Sequence, residues 1–290
     1  MSERRGKMMA LFSAACYGVA MPLARMAYDH GTNALTIMTL RYLSLALILA
    51  AWLLIEGRSL KVPARTLAIC LVIGVTFVGT AGGALASIVY MPVSLAVLVF
   101  YTYPTLTLLA ECVLERRAPH RLEIAAVLLA LLGLGLTLQA SLGAFHLIGV
   151  ELALVASVSA AVALILTSRT LKKIGARLIG FYACAVASGI SAAIMMSWER
   201  FSLPHTGVGI LLLTLVIAAF NLAVLTMFAS LKSVAASRAA TIFCIEPVVG
   251  VLTAIALLGE RLVPQQWLGA GLVGVAILIA SRLQPEAKEL

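Results

Sequence analysis

Ten apolar runs of about twenty residues follow one another along this chain, and nothing else in it constrains the fold as much. At 1.5 Å per helical residue, such a run matches the ~30 Å hydrocarbon core of a bilayer. The runs read as helices over 8–27, 33–55, 65–84, 93–114, 121–140, 147–169, 177–197, 207–230, 237–258 and 264–282. Gly79, Gly82 and Gly83 interrupt the third, which has room to run on towards Tyr90. Of the 290 residues, 62% are hydrophobic and 11% charged, whereas soluble chains carry about 25% charged residues. A soluble fold cannot hide that much apolar surface. A soluble enzyme, a nucleic-acid binder and a disordered tail are therefore poor readings. The connections are short, about a dozen residues at most, and leave no room for an extramembrane or nucleotide-binding module. The expected fold class is an all-α multi-pass protein whose environment is the lipid bilayer, with no nucleic-acid partner.

The basic residues set the orientation. With an inner N-terminus and ten spans, 17 of the 21 Lys and Arg fall on the inner side, and Arg25, Arg200 and Arg261 on the far side. Arg41 remains inside a span. Positive charge is retained on the cytoplasmic face, so both termini are expected to be cytoplasmic. Met1–Lys7 and the first run resemble a signal peptide, but Arg25 ends the run without a clear cleavage site, which points to a retained helix. Cys16, Cys70, Cys112, Cys184 and Cys244 all lie in apolar runs and none are at CxxC spacing. No disulfide, metal site or cofactor is expected. The four histidines fall in connections, so no membrane-embedded catalytic cluster is expected, and the chain reads as a non-enzyme.

The two halves echo one another. Ser13-Ala-Ala-Cys-Tyr…Arg25 aligns with Ser157-Val-Ser-Ala-Ala…Arg169, and Tyr103-Pro104 with Glu246-Pro247. Both dipeptides precede an apolar stretch ending in Glu-Arg, at Glu115-Arg116 and Glu260-Arg261. Five spans per half turn the second half upside down. Residues 1–145 and 146–290 are therefore expected to form two inverted five-helix repeats, an architecture of secondary transporters with the substrate site near the midplane. The stretch Ile245-Glu246-Pro247…Leu258-Gly259-Glu260-Arg261…Trp267…Gly274 resembles the ninth-to-tenth helix signature of the EamA family, in the drug/metabolite transporter superfamily. Met91–Pro104 is similar to its first-half counterpart, and Arg41 resembles that family's second-helix arginine. Leu114-Glu115-Arg116 departs from the pattern, because it lacks the glycine. The resemblance implies a bacterial inner-membrane exporter of small metabolites, and among its relatives are aromatic amino-acid exporters. Multidrug, purine and sugar-derivative carriers share the layout. A membrane-embedded enzyme or a scaffold is the non-transport alternative.

The residue types suggest where a small molecule would sit. No GxxxxGK[ST] is present, so nothing by that motif points to ATP as the driver. Arg41 lies about 12 Å from the outer start of its span and Glu246 about 14 Å from the inner start of its own. In a ~30 Å core these depths are close enough for pairing or a shared network. The alternative for Arg41 is an anchor on carbonyls freed by Pro104 or Pro247. Glu246 is also a candidate proton-coupling acid. The expected cavity residues are Tyr17, Phe77, Tyr101, Tyr103, Phe220, Asn221, Phe243 and Glu246. Mid-span tyrosines need partners for their hydroxyls, and Asn221 serves equally as a bridge between helices. Tyr28 and Tyr42 read as facing lipid or a neighbouring helix. Pro104 and Pro247 read as paired hinges, with Pro22 and Pro92 as further breaks in the helical ladder. Gly79-x-x-x-Gly83, Ala270-x-x-x-Gly274, Gly133 and Gly135 offer close helix contacts, within one chain or in a weak homodimer.

Overall fold

The computed structural model of the chain describes residues 2–57, 60–87, 89–91, 93–138, 146–198, 201–258 and 263–282. They form α1 (Glu3–Tyr28), α2 (Ala34–Ile55), α3 (Ala64–Ser87), α4 (Val93–Phe100), α5 (Tyr103–Glu115), α6 (Arg121–Thr137), α7 (Leu147–Ile174), α8 (Ala176–Trp198), α9 (Gly207–Ser230), α10 (Ala236–Phe243), α11 (Glu246–Leu258) and α12 (Pro264–Arg282). Each expected run is helical, but the fourth and ninth are each split in two. The third, α3, continues unbroken through its glycines to Ser87. Helix α1 likewise runs straight through Pro22. Pro92 and the Gly259–Leu262 corner lie outside the described residues.

The ends of these helices follow local chemistry. Asn33 caps α2 by accepting from the Thr36 amide at 2.8 Å, one of the orphan donors of a first turn. His120 and Glu123 form a reciprocal capping box on α6. Arg117 forks onto Glu123 at 2.7 and 2.9 Å, and that carboxylate pushes the Arg117 guanidinium pKa above its ordinary value. Trp52, Trp198 and Trp267 are exposed near helix ends, the depth at which indole rings favour the membrane interface. Between those belts Leu47, Leu132, Met196 and Leu211 face outward.

Packing reveals the symmetry. Helix α1 packs on α9 and α11, and its repeat equivalent α7 packs on α3 and α4–α5. Helix α2 packs on α8, α5 on α10 and α6 on α12. The α2–α8 and α6–α12 pairs each join one element to its own counterpart, as a two-fold axis lying between inverted repeats requires, whereas α5–α10 joins non-equivalent halves of the two split helices. The protein is an all-α membrane protein of two inverted five-helix repeats.

Small residues sit where backbones cross. A Cβ on Gly133 would lie 2.7 Å from the Gly269 carbonyl oxygen, and one on Gly269 2.5 Å from that of Gly133. Gly79 and Gly83 face Ser159 and the Leu152 carbonyl on α7. The expected Ala270/Gly274 contact is displaced by one helical step: a Cβ on Gly274 meets nothing within 4 Å, and one on Gly135 meets only Leu98 at 4.0 Å. These contacts lie within the single chain. Gly133→Val is expected to force α6 and α12 apart at a cost of about 1–3 kcal/mol, read as a lower melting temperature in detergent. Gly274→Val should leave the melting temperature unchanged.

Candidate functional site

The two split helices break at the same place in each half. Helix α4 ends at Phe100, Tyr101 and Thr102 form a turn, and α5 starts at Tyr103-Pro104. Helix α10 ends at Phe243, Cys244 and Ile245 turn, and α11 starts at Glu246-Pro247. Proline lacks the amide that a continuous helix would donate four residues back. Thr102 Oγ1 donates to the Val99 carbonyl at 2.7 Å and lies 3.0 Å from Ser157 Oγ.

Around these breaks the rings gather. Phe100, Tyr101 and Tyr103 lie with centroids 5.1–5.6 Å apart. From other helices Tyr17 meets Phe220 edge-on at 5.9 Å, and Tyr42 stacks on Phe77 at 6.2 Å and meets Phe220 at 5.2 Å. Arg41 lays its guanidinium 4.5 Å from the Phe220 centroid and 5.0 Å from that of Tyr42. This cation–π placement offsets part of the cost of a desolvated charge. Glu246 pairs with the Tyr101 hydroxyl. Tyr17 lies within the electrostatic reach of both Arg41 and Glu246. Glu246, Tyr17, Arg41 and Phe77 are each half-buried and keep some accessible surface.

Tyr17, Phe77, Tyr101, Tyr103, Phe220 and Glu246 therefore come together at mid-depth. Asn221 is placed differently. Its Nδ2 donates to Ser44 Oγ at 3.0 Å, so it bridges α9 to α2. Phe243 ends α10 and is buried in the same core cluster as Tyr101, Tyr103 and Phe220. Arg41 is not anchored on carbonyls freed by the prolines. It rests on aromatic faces, with its buried Nε unpartnered, and no direct ion pair joins it to Glu246.

Two residues escaped the sequence reading. Tyr42 is part of the ring cluster and donates to the Phe77 carbonyl at 3.2 Å. Its position next to Arg41 was the available signal. Glu111, an ionisable residue in the last turns of α5, is buried and accepts from the Ser237 amide at 3.2 Å and from the Ser237 hydroxyl. Its place inside the 93–114 run was signal enough. Among the described residues no group of three His, Cys, Asp or Glu side chains could hold a metal.

The profile of the EamA-like transporter family matches the chain twice, over residues 4–139 and 147–282. Among solved structures, one crystal structure superposes with a TM-score of 0.81 at 18% sequence identity. The alignment covers 96% of this chain and 99% of that one, a likeness of fold. A search of curated proteins finds no match.

Proposed function

The chain belongs to the EamA-like transporter family, within the drug/metabolite transporter superfamily, and from that premise we propose that it exports amino acids, aromatic ones included, by alternating access. The family's members are transporters rather than enzymes. The observation that carries the substrate reading is a cation and a carboxylate, Arg41 and Glu246, held apart from a direct ion pair beside a cluster of rings. Arg41 presents an unpartnered buried Nε, suited to a carboxylate. Glu246 suits an ammonium group. Tyr17, Phe77, Tyr101, Tyr103 and Phe220 supply faces for a flat side chain. Pro104 and Pro247 act as hinges at which the two split helices bend, and residues 1–145 and 146–290 move as repeats. The excess of basic residues on one side supports a bacterial inner-membrane location with both termini on the cytoplasmic side. A monomer suffices for this path, with at most weak dimerisation.

Purified protein in proteoliposomes loaded with mixed amino acids, nucleosides and cationic dyes tests the reading. Accelerated efflux of amino acids, aromatic ones fastest, is expected. Acceleration of the dyes alone would favour a multidrug carrier using Glu246 and the rings without Arg41. Glu246 also supplies the proton coupling. Glu246→Gln is expected to abolish stimulation of efflux by an imposed proton gradient while a slower substrate exchange remains. Unchanged stimulation would remove Glu246 from the coupling step.

A further inference from the structure

Beyond the central site, a second set of contacts joins the two halves at the end of the molecule that holds the N-terminus. Helices α5 and α10, the halves of the split helices nearest that end, pack against each other. Their continuations do not follow: α4 leans on α7 and α11 on α1. Every residue of α10 is buried. At its first turn the buried Glu111 carboxylate of α5 accepts from the Ser237 amide at 3.2 Å and from the Ser237 hydroxyl. An anion there meets both the orphan amides and the positive end of the helix dipole. The next residue, Arg238, reaches α1 and binds Glu3 at 2.8 Å, and Glu3 also holds Lys7 at 2.7 Å. The gap left in this seam is about 10 Å³, lined by Leu108, Glu123, Ser237, Arg238 and Thr241, room for about one water molecule.

We propose that Glu111–Ser237 and Arg238–Glu3 form a two-part latch that closes the cytoplasmic side of the carrier, and that both contacts must open before substrate can enter from the cytoplasm. The proposal rests on the transport reading for its purpose, but its geometry is independent of which substrate is carried. Two neighbouring residues of α10 tie it to two different helices of the first half: Ser237 holds α5, and Arg238 holds α1. An inward opening that parts α10 from either helix must exchange these bonds for water. The ties at the other end, Thr32 to the Ser202 carbonyl at 2.9 Å and His30 to Thr206 at 2.9 Å, connect the α1–α2 and α8–α9 turns and hold neither α4 nor α11.

The chain carries its own reporter. Cys244 is fully buried at the break between α10 and α11, beyond the latch as seen from the cytoplasm. In the full-length protein with Cys16, Cys70, Cys112 and Cys184 changed to alanine, inside-out vesicles are treated with a membrane-impermeant maleimide. Glu111→Ala is expected to raise the labelling rate of Cys244 about tenfold, the scale of one lost charge-assisted bond. Arg238→Glu should raise it as well, and the exchange Glu3→Arg with Arg238→Glu should return it towards the parent rate, which a loss of packing would not do. Should Glu111→Ala fail to fold, Ser237→Ala takes its place. Labelling that stays at the parent rate in the folded latch variants overturns the proposal. Absence of amino-acid efflux by the parent protein would overturn the substrate reading instead, and Cys244 labelling would still decide the latch.

Discussion

Arg41→Ala is expected to reduce efflux by about two orders of magnitude, the largest effect of any single substitution proposed for the cavity. Its guanidinium is held against two rings and its Nε has no protein partner, so a donor is available for a ligand at no internal loss. A hydrogen bond to a charged group contributes about 1.5–3 kcal/mol, which corresponds to a factor of roughly 10–150. Arg41→Lys keeps the charge but loses the planar fork and its stacking, and should recover only a fraction of the rate. The check is initial efflux rate against substrate concentration in proteoliposomes, with melting temperature measured in parallel. A folded Arg41→Ala protein transporting at the parent rate would remove the carboxylate anchor from the mechanism.

Gly18→Val is expected to slow transport more than tenfold without touching any group that could bind substrate. A Cβ at this position of α1 would stand 2.6 Å from the Glu246 carbonyl oxygen and 2.8 Å from Val249 Cβ. The backbone at the start of α11 cannot yield as a flexible side chain would, so the break at Glu246-Pro247 must shift, at a cost of about 1–3 kcal/mol. That shift carries Glu246 away from Tyr101. Gly18→Ala should have a smaller effect in the same direction. Gly271→Ala, where a Cβ meets nothing within 4 Å, is the control and should transport normally. Equal rates for Gly18→Val and the control would show that close contact between α1 and α11 is dispensable.

Much of the architecture is legible in the sequence because membrane insertion is read locally. The length of each apolar run, the bias of Lys and Arg and the two matching prolines are properties of short stretches, and they place the helices and their breaks. The residues that bond across the molecule are less legible. Asn221 reads equally as cavity or bridge in the sequence, because its partner, Ser44, lies 177 positions away. Tyr42 read as facing lipid or a neighbour because its run is apolar all round, so no polar face marks the interior. Glu111 read as part of a span because its partner, Ser237, lies 126 positions away. Such partners depend on how helices rotate about their axes, and small-residue crossings such as Gly133 with Gly269 set that rotation.

The interleaving of the halves bears on how the chain is made. Helix α1 finds its main neighbours in α9 and α11, α3 in α7 and α8, and α6 in α12. Five helices emerging first from a ribosome would therefore wait in the bilayer with their mating faces unfilled until the remaining five arrive. Assembly is governed by contacts distant in sequence, which slows it. Two separately translated fragments divided at the middle of the chain would have every reason to seek each other out.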